Sequence, residues 1–155
     1  MTEKGKANNG VISNKTAAGG ETSVLRQYRK EQRESAYLAT FIREVSPQEV
    51  VGPVVIASSA VKYGSPTGAA GGFTLARQQL AASGWTQVSA GRLGAEAIAF
   101  TESKALNQIQ YQSFVVEWRQ VNVVNQVRIA GNAATLDINY ALTLAKVQER
   151  REKAS

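Results

Sequence analysis

Polar and apolar positions alternate with a period of two from Tyr37 to Ile42, with Tyr37, Ala39 and Phe41 on one face and Leu38, Thr40 and Ile42 on the other. Aromatic and β-branched residues at that period predict a strand, and the folded body is expected to start near Ala36. Turn chemistry around Pro47 separates it from a second strand, "PVVIASSAVKY", ending at Tyr63. The period then changes. Ser65 followed by Pro66 is a helix-start pair, and Phe73, Ala76 and Leu80 recur at helical spacing. Gly68, Gly71 and Gly72 each weaken a helix by about 1 kcal/mol relative to Ala, so a loose first turn is expected. Gly84 fits the left-handed position that ends the helix, with Trp85 packing back on Leu80 as in a Schellman motif.

Beyond Trp85 the pattern predicts a short strand to Val88, a glycine-bounded loop at Gly91–Gly94, and a strand near Ala97–Thr101. "KALNQ" reads as a turn, and "IQYQSFVVEWRQ" and "NVVNQVRIAG" as two long strands joined at Arg119–Asn122. A final helix is expected from Thr135 to Arg151, with Leu136, Tyr140, Leu144 and Val147 as its apolar stripe and Lys146, Arg150 and Arg151 near its C-terminal end, where the dipole favours cations. The order is β-β-α-β-β-β-β-α. Short connections favour antiparallel pairing, so the expected fold class is α+β: an antiparallel sheet with two helices packed on one face.

The long strands raise a question. Alternation puts Phe114, Val116 and Trp118 on one face and Ile109, Tyr111, Val115 and Glu117 on the other, so both faces carry apolar residues. A second packed layer, an oligomer interface or a ligand groove would each account for this.

Residues 1–22 are rich in Gly, Asn, Lys, Thr and Ala and offer little apolar surface to offset the entropy of ordering. Residues 1–34 are expected to form a flexible basic arm, with a short helix at 23–34 capped by Ser23. Residues 35–151 form one domain and 152–155 a tail. The length of 155 residues suits one core rather than two.

The net charge of +6 is unevenly placed. Residues 1–34 hold seven Lys/Arg against four acids, residues 35–145 seven against six, and residues 146–155 four against two. The body is thus nearly neutral and the excess sits at the ends, where it suits phosphate or the anionic lipid head groups of a membrane surface, or is simply tolerated by solvated tails and a helix C-terminus. No apolar run approaches the ~20 residues of a membrane span. The first ten residues lack the apolar segment of a secretory signal, which suggests a cytosolic chain or one processed after export.

There are no cysteines and no histidines. Thiol chemistry, thiolate metal sites and a Ser–His–Asp arrangement are excluded, and the commonest zinc ligands are missing. The acids of the body show no spacing that specifies carboxylate-pair or metal chemistry. Gly91-Arg92-Leu93-Gly94 lacks the pattern of a phosphate loop and reads as a turn. No catalytic residue, metal ligand or cofactor is assigned.

Several segments resemble a known family. Tyr37–Phe41, "VKYGSP" at Val61–Pro66, "GRLGAEAIAF" at Gly91–Phe100, "FVVEWRQVNVVNQV" at Phe114–Val127 and "ALTLAK" at Ala141–Lys146 resemble, in order, the structural motifs of PsbP-like α/β domains of bacterial extracytoplasmic proteins and lipoproteins. Ala95 stands where that family often has Asp. Val121 stands where a hairpin Gly is common, which suggests a wider or reshaped turn. The resemblance implies an extracytoplasmic or membrane-associated, non-catalytic role.

The leading expectation is an interaction or assembly protein that docks onto a larger complex or a second copy. Arg26, Arg29, Lys30 and Arg33 of the arm, and Tyr111, Trp118, Arg119 and Arg128 of the long strands, are the candidate partner contacts. An extracytoplasmic module for a lipid or small metabolite is the alternative. Nucleic-acid binding, by aromatics interleaved with arginines, is the third reading.

Overall fold

The computed structural model describes residues 9–44 and 49–154. Among them seven strands form one antiparallel sheet in the order β1-β2-β3-β7-β6-β5-β4. The strands are β1 (Gly10–Ile12), β2 (Arg33–Ile42), β3 (Pro53–Tyr63), β4 (Thr86–Val88), β5 (Glu96–Leu106), β6 (Ile109–Gln120) and β7 (Val123–Asn132). The helices are α1 (Asn14–Ala17), α2 (Thr22–Lys30), α3 (Pro66–Ala82) and α4 (Ile138–Lys153). From β2 onward the chain runs β-β-α-β-β-β-β-α, and the α+β class with an antiparallel sheet is the one expected from the sequence.

The helix placement differs from expectation, because α3 and α4 lie on opposite faces. Tyr63, Ile98, Phe100 and Val124 pack with Ala69 and Phe73 of α3. The alternate positions Ala99, Val116, Trp118, Val127 and Ile129 pack with Ala141 and Ala145 of α4. Successive side chains of a strand point to opposite sides, so the two clusters cannot share a face. This explains the strands that are apolar on both sides: β5, β6 and β7 form the middle layer of three.

Both helix starts are fixed locally. The Ser65 hydroxyl accepts from Gly68 N at 3.0 Å, with Pro66 opening α3, and the Asp137 carboxylate accepts from Asn139 N at 2.7 Å at the head of α4. At the end of α3, Trp85 N donates to Leu80 O and Gly84 N to Ala81 O, with Gly84 at φ 85°. That is the Schellman pattern read from the sequence.

The glycines of α3 do not loosen it. A Cβ on Gly68 would strike the backbone carbonyl of Glu31, and one on Gly72 would strike the Tyr63 ring. Helix α3 is regular from Pro66, and its missing side chains admit the end of α2 and strand β3.

The stripe expected to bury α4 holds in part: Leu136, just ahead of the helix, is buried in the α4 cluster and Leu144 packs against it. The packed face is made by Ala141 and Ala145, both fully buried, because the cluster beneath them already holds the Trp118 ring. Tyr140, Leu144 and Val147 sit on the shoulder of the helix and remain partly open.

The arm differs most from its expected flexible form. Residues 10–12 pair with Ala36–Leu38 as an edge strand, and Ser13 caps α1 by accepting from Thr16 N. Helix α2 begins at Thr22 with Glu21 at its cap position, so Ser23 lies inside it. Asn14 donates to the carbonyl of Arg33 at 2.8 Å, and its own side-chain oxygen accepts from the Arg33 guanidinium. Composition underestimated this segment because edge-strand hydrogen bonds need no apolar side chains. Residues 1–8 and the turn around Pro47 lie outside the described residues.

The β6–β7 connection is a two-residue turn, with Gln120 opposite Val123 and Val121 at φ 50°. It is therefore tight rather than widened, and a β-branched residue occupies a backbone region that disfavours it.

Candidate binding groove

Helix α4 covers β5, β6 and β7 on its face of the sheet, reaches β3 at Ile56, Ser58 and Ser59, and leaves a strip along β2 and the adjoining edge of β3 open beside it. On that bare strip Phe41 lies opposite Ile56, Ala39 opposite Ser58, and Tyr37 opposite Ala60. Tyr37 and Phe41 are 51% and 38% exposed, unusual for aromatics in the same sheet as a fully buried Trp118. The shoulder of α4, with Tyr140, Leu144 and Val147, forms the facing wall.

Two adjoining hollows share Ile56 and Leu144 and together make one groove along α4. The hollow near the start of α4 measures about 750 Å³ and is edged by Arg43, Thr135, Asp137 and Asn139. The other measures about 430 Å³ and reaches Arg151. Its floor is held by a polar network. Ser58 donates to Gln148 Oε1 at 2.7 Å, while Asn125, fully buried, accepts from Gln148 Nε2 and donates to Glu152 Oε2 at 3.0 Å. This network fixes α4 against β3 and β7, so the groove has one rigid wall. Partial burial pushes the Glu152 carboxyl up from its ordinary range, against hydrogen bonds from Gln148 and Asn125.

The glycine-bounded loop closes the far side of α4. Gly94 N donates to Glu149 Oε1 at 2.8 Å, and Leu93 is buried in the α4 cluster. The bonds from Lys153 and Gly94 hold the Glu149 carboxyl below its usual range.

On the opposite face, under α3, Glu117 is buried. Desolvation pushes its carboxyl up to about 7, while a hydrogen bond from Gln126 opposes the shift. Burial also pushes the nearby Tyr63 phenol up to about 12, with Arg33 pulling the other way and Glu117 adding to the rise. Glu117 is sealed under the helix, so its chemistry is structural.

The residues expected to contact a partner do not converge. Trp118 is wholly buried beneath α4 and presents no surface, because its strand position faces the helix rather than solvent. Arg119, Arg128 and Tyr111 share the α3 face of the sheet. Arg119 Nε donates to Glu96 at 2.6 Å, and the Arg128 guanidinium stacks 5.0 Å from the Trp85 ring centroid. Tyr111 is half-buried eight residues from Arg119, roughly 27 Å along the strand. In the arm, Arg33 is buried and stacked 4.8 Å over Tyr28. Arg26, Arg29 and Lys30 are exposed on α2.

The groove residues went unassigned in the sequence reading. Tyr37, Ala39 and Phe41 were recognisable as one strand face, and Tyr140, Leu144 and Val147 as one helix stripe. Only the assembled sheet shows that these two surfaces meet without covering each other.

Fold and groove together define an α+β domain of three layers over one half of its sheet, with an apolar groove over the other half. Compared with protein-family models, curated proteins and solved structures, the chain matches none of them. Among the described residues no group of three or more His, Cys, Asp or Glu could hold a metal ion, and no helix is long and apolar enough to cross a membrane.

Proposed function

We propose that this protein is a non-catalytic interaction module that docks a partner in the groove between α4 and strands β2 and β3, as one subunit of a larger assembly. The observation that carries this reading is the exposed Phe41 ring on the groove floor, with Ile56 half-buried beside it and Tyr37 open farther along the same strand face, next to a helix wall already fixed by buried hydrogen bonds. A continuous apolar surface rimmed by polar groups is the mark of a binding site. The exposed cations of α2, Arg26, Arg29 and Lys30, supply a second surface suited to an acidic partner or an anionic lipid surface. Kinship with PsbP-like domains, proposed on the sequence motifs alone, accords with such a role.

A probe for exposed apolar surface tests the reading. The folded protein should bind anilinonaphthalene sulfonate, and Phe41→Asp or Leu144→Asp should abolish binding while circular dichroism is unchanged. A folded native protein that does not bind the dye would overturn the reading. A small apolar ligand is the second reading, favoured by the 750 Å³ hollow, which lies within the size range of ligand pockets.

A further inference from the structure

Helices α3 and α4 are attached to the sheet in different ways. Helix α4 is tied down by Gln148, which bonds Ser58 and Asn125, and by Glu152 and Glu149, which accept from Asn125 and Gly94. Helix α3 has no such tie. Among the described residues no side chain of α3 bonds the sheet: the Thr74 hydroxyl donates to Ala70 of its own helix, and Arg77, its one charged residue, is exposed. Ala69 and Phe73 hold α3 to the strands by apolar contact. Gly64 and Gly84 flank the helix, and glycine absorbs a backbone rotation at the least steric cost.

Under this helix lies a carboxyl that water would stabilise and the core does not. Glu117 is 1% exposed and accepts one hydrogen bond, from Gln126, while its Oε1 has no partner. The elements packed around it bring no cation to it. Ile98 of β5 and Gln126 of β7 stand opposite it in the sheet. Arg119, two residues along β6, is engaged by Glu96, and Arg128 of β7 stacks on Trp85. On the β3 side the titratable neighbour is the Tyr63 phenol, on which Arg33, Tyr28 and Glu31 also act. A neutral carboxylic acid is tolerated in such a place, whereas an unpaired carboxylate is driven toward water.

We propose that α3 is a pH-gated lid: loss of the Glu117 proton favours its lifting from the sheet, which lets water reach the carboxylate and uncovers the apolar layer of Tyr63, Ile98, Phe100 and Val124. That layer lies on the face opposite the groove, so the lid controls a second surface, independent of the docking reading above. The direction follows from proton linkage. The closed form keeps the Glu117 proton to about pH 7, and the open form releases it near the ordinary value of 4.5. The closed form binds more protons throughout that window, so opening becomes easier as pH rises through it and levels off above it.

Amide hydrogen exchange on the full chain tests the lid, with rates expressed as protection factors so that the intrinsic pH dependence cancels. At pH 7.5 the amides of residues 73–80 should be at least tenfold less protected than those of residues 142–145. Their opening should also have the smaller urea dependence, the mark of a local event. Between pH 5 and 7.5 protection at residues 73–80 should fall at least tenfold. Glu117→Gln and Glu117→Met should each abolish that fall, and either variant suffices if the other does not fold. Equal protection and equal urea dependence in the two helices would overturn the proposal, because α3 would then open only with the whole fold. A native profile that is flat with pH, or a fall that persists in a folded Glu117 variant, would overturn it as well.

Discussion

Gln126 Nε2 donates to Glu117 Oε2 at 3.1 Å across β6 and β7, and the other carboxylate oxygen of Glu117 has no hydrogen-bond partner among the described residues. One hydrogen bond does not compensate a buried carboxylate, so the folded protein holds this group's proton up to about pH 7.

Stability should therefore fall as pH rises from about 4.5 to 7. The unfolded chain releases this proton near its ordinary value of 4.5, while the folded chain keeps it to about 7. The folded state binds more protons throughout that window, which gives a negative slope of stability against pH, and above it the slope vanishes. The loss is on the order of 3 kcal/mol. Urea denaturation across pH 4–9 should show the decline, and Glu117→Gln should flatten it and be more stable than the native chain at pH 8. Glu152, also pushed up, adds a smaller decline of the same sign. Glu149, held down by Lys153 and Gly94, has the opposite sign and acts below about pH 4.5. A Glu117→Gln profile as steep as the native one would show that this carboxyl does not control the slope.

Val121→Gly should stabilise the fold by about 1 kcal/mol. Val121 sits at φ 50° in a two-residue turn, where a β-branched side chain meets its own backbone and glycine does not. Gln108→Gly should act alike, because Asn107 and Gln108 both have positive φ in the β5–β6 turn, and Asn-Gly is the favoured pair there. Thermal melts of the single and double variants measure the effect. Melting temperatures at or below the native value would refute it.

Gly72→Ala should destabilise by about 1–3 kcal/mol, although alanine is the better helix former by about 1 kcal/mol. The added methyl would overlap the Tyr63 ring, which is buried and cannot swing clear. Gly84→Ala meets no neighbouring atom and is opposed only by its φ of 85°, so its cost should be about 1 kcal/mol. Chemical denaturation of the two variants should rank Gly72→Ala as the more damaging.

Asn125→Ala should cost about 1–3 kcal/mol, because it strips a fully buried side chain that bonds both Gln148 and Glu152. The same change should loosen the rigid wall of the groove. Hydrogen exchange should accelerate in the C-terminal half of α4 before it does so in α3. Uniform acceleration across both helices would mean that the network does not act on α4 in particular.

The sequence by itself determined the elements from β2 onward and their chain order, because each rests on local physics. Period-two alternation marked β2 and β6, apolar runs between turns marked β3 and β7, the Ser65–Pro66 pair began α3, and Gly84 with Trp85 ended it. The tertiary structure decided which surfaces those elements cover. Alternation shows that Val116 and Val115 point apart, but not which helix lies on which side, and that choice put α3 and α4 on opposite faces. It buried Trp118 under two alanines, left Tyr140 of the α4 stripe exposed while Leu136 entered the core, and drew the arm onto the edge of β2. Such outcomes depend on long-range packing between residues up to ninety positions apart, such as Ser58 and Gln148, which local spacing does not encode. The groove is the clearest case: its floor and wall were each legible as apolar faces, and only the assembled sheet left them side by side.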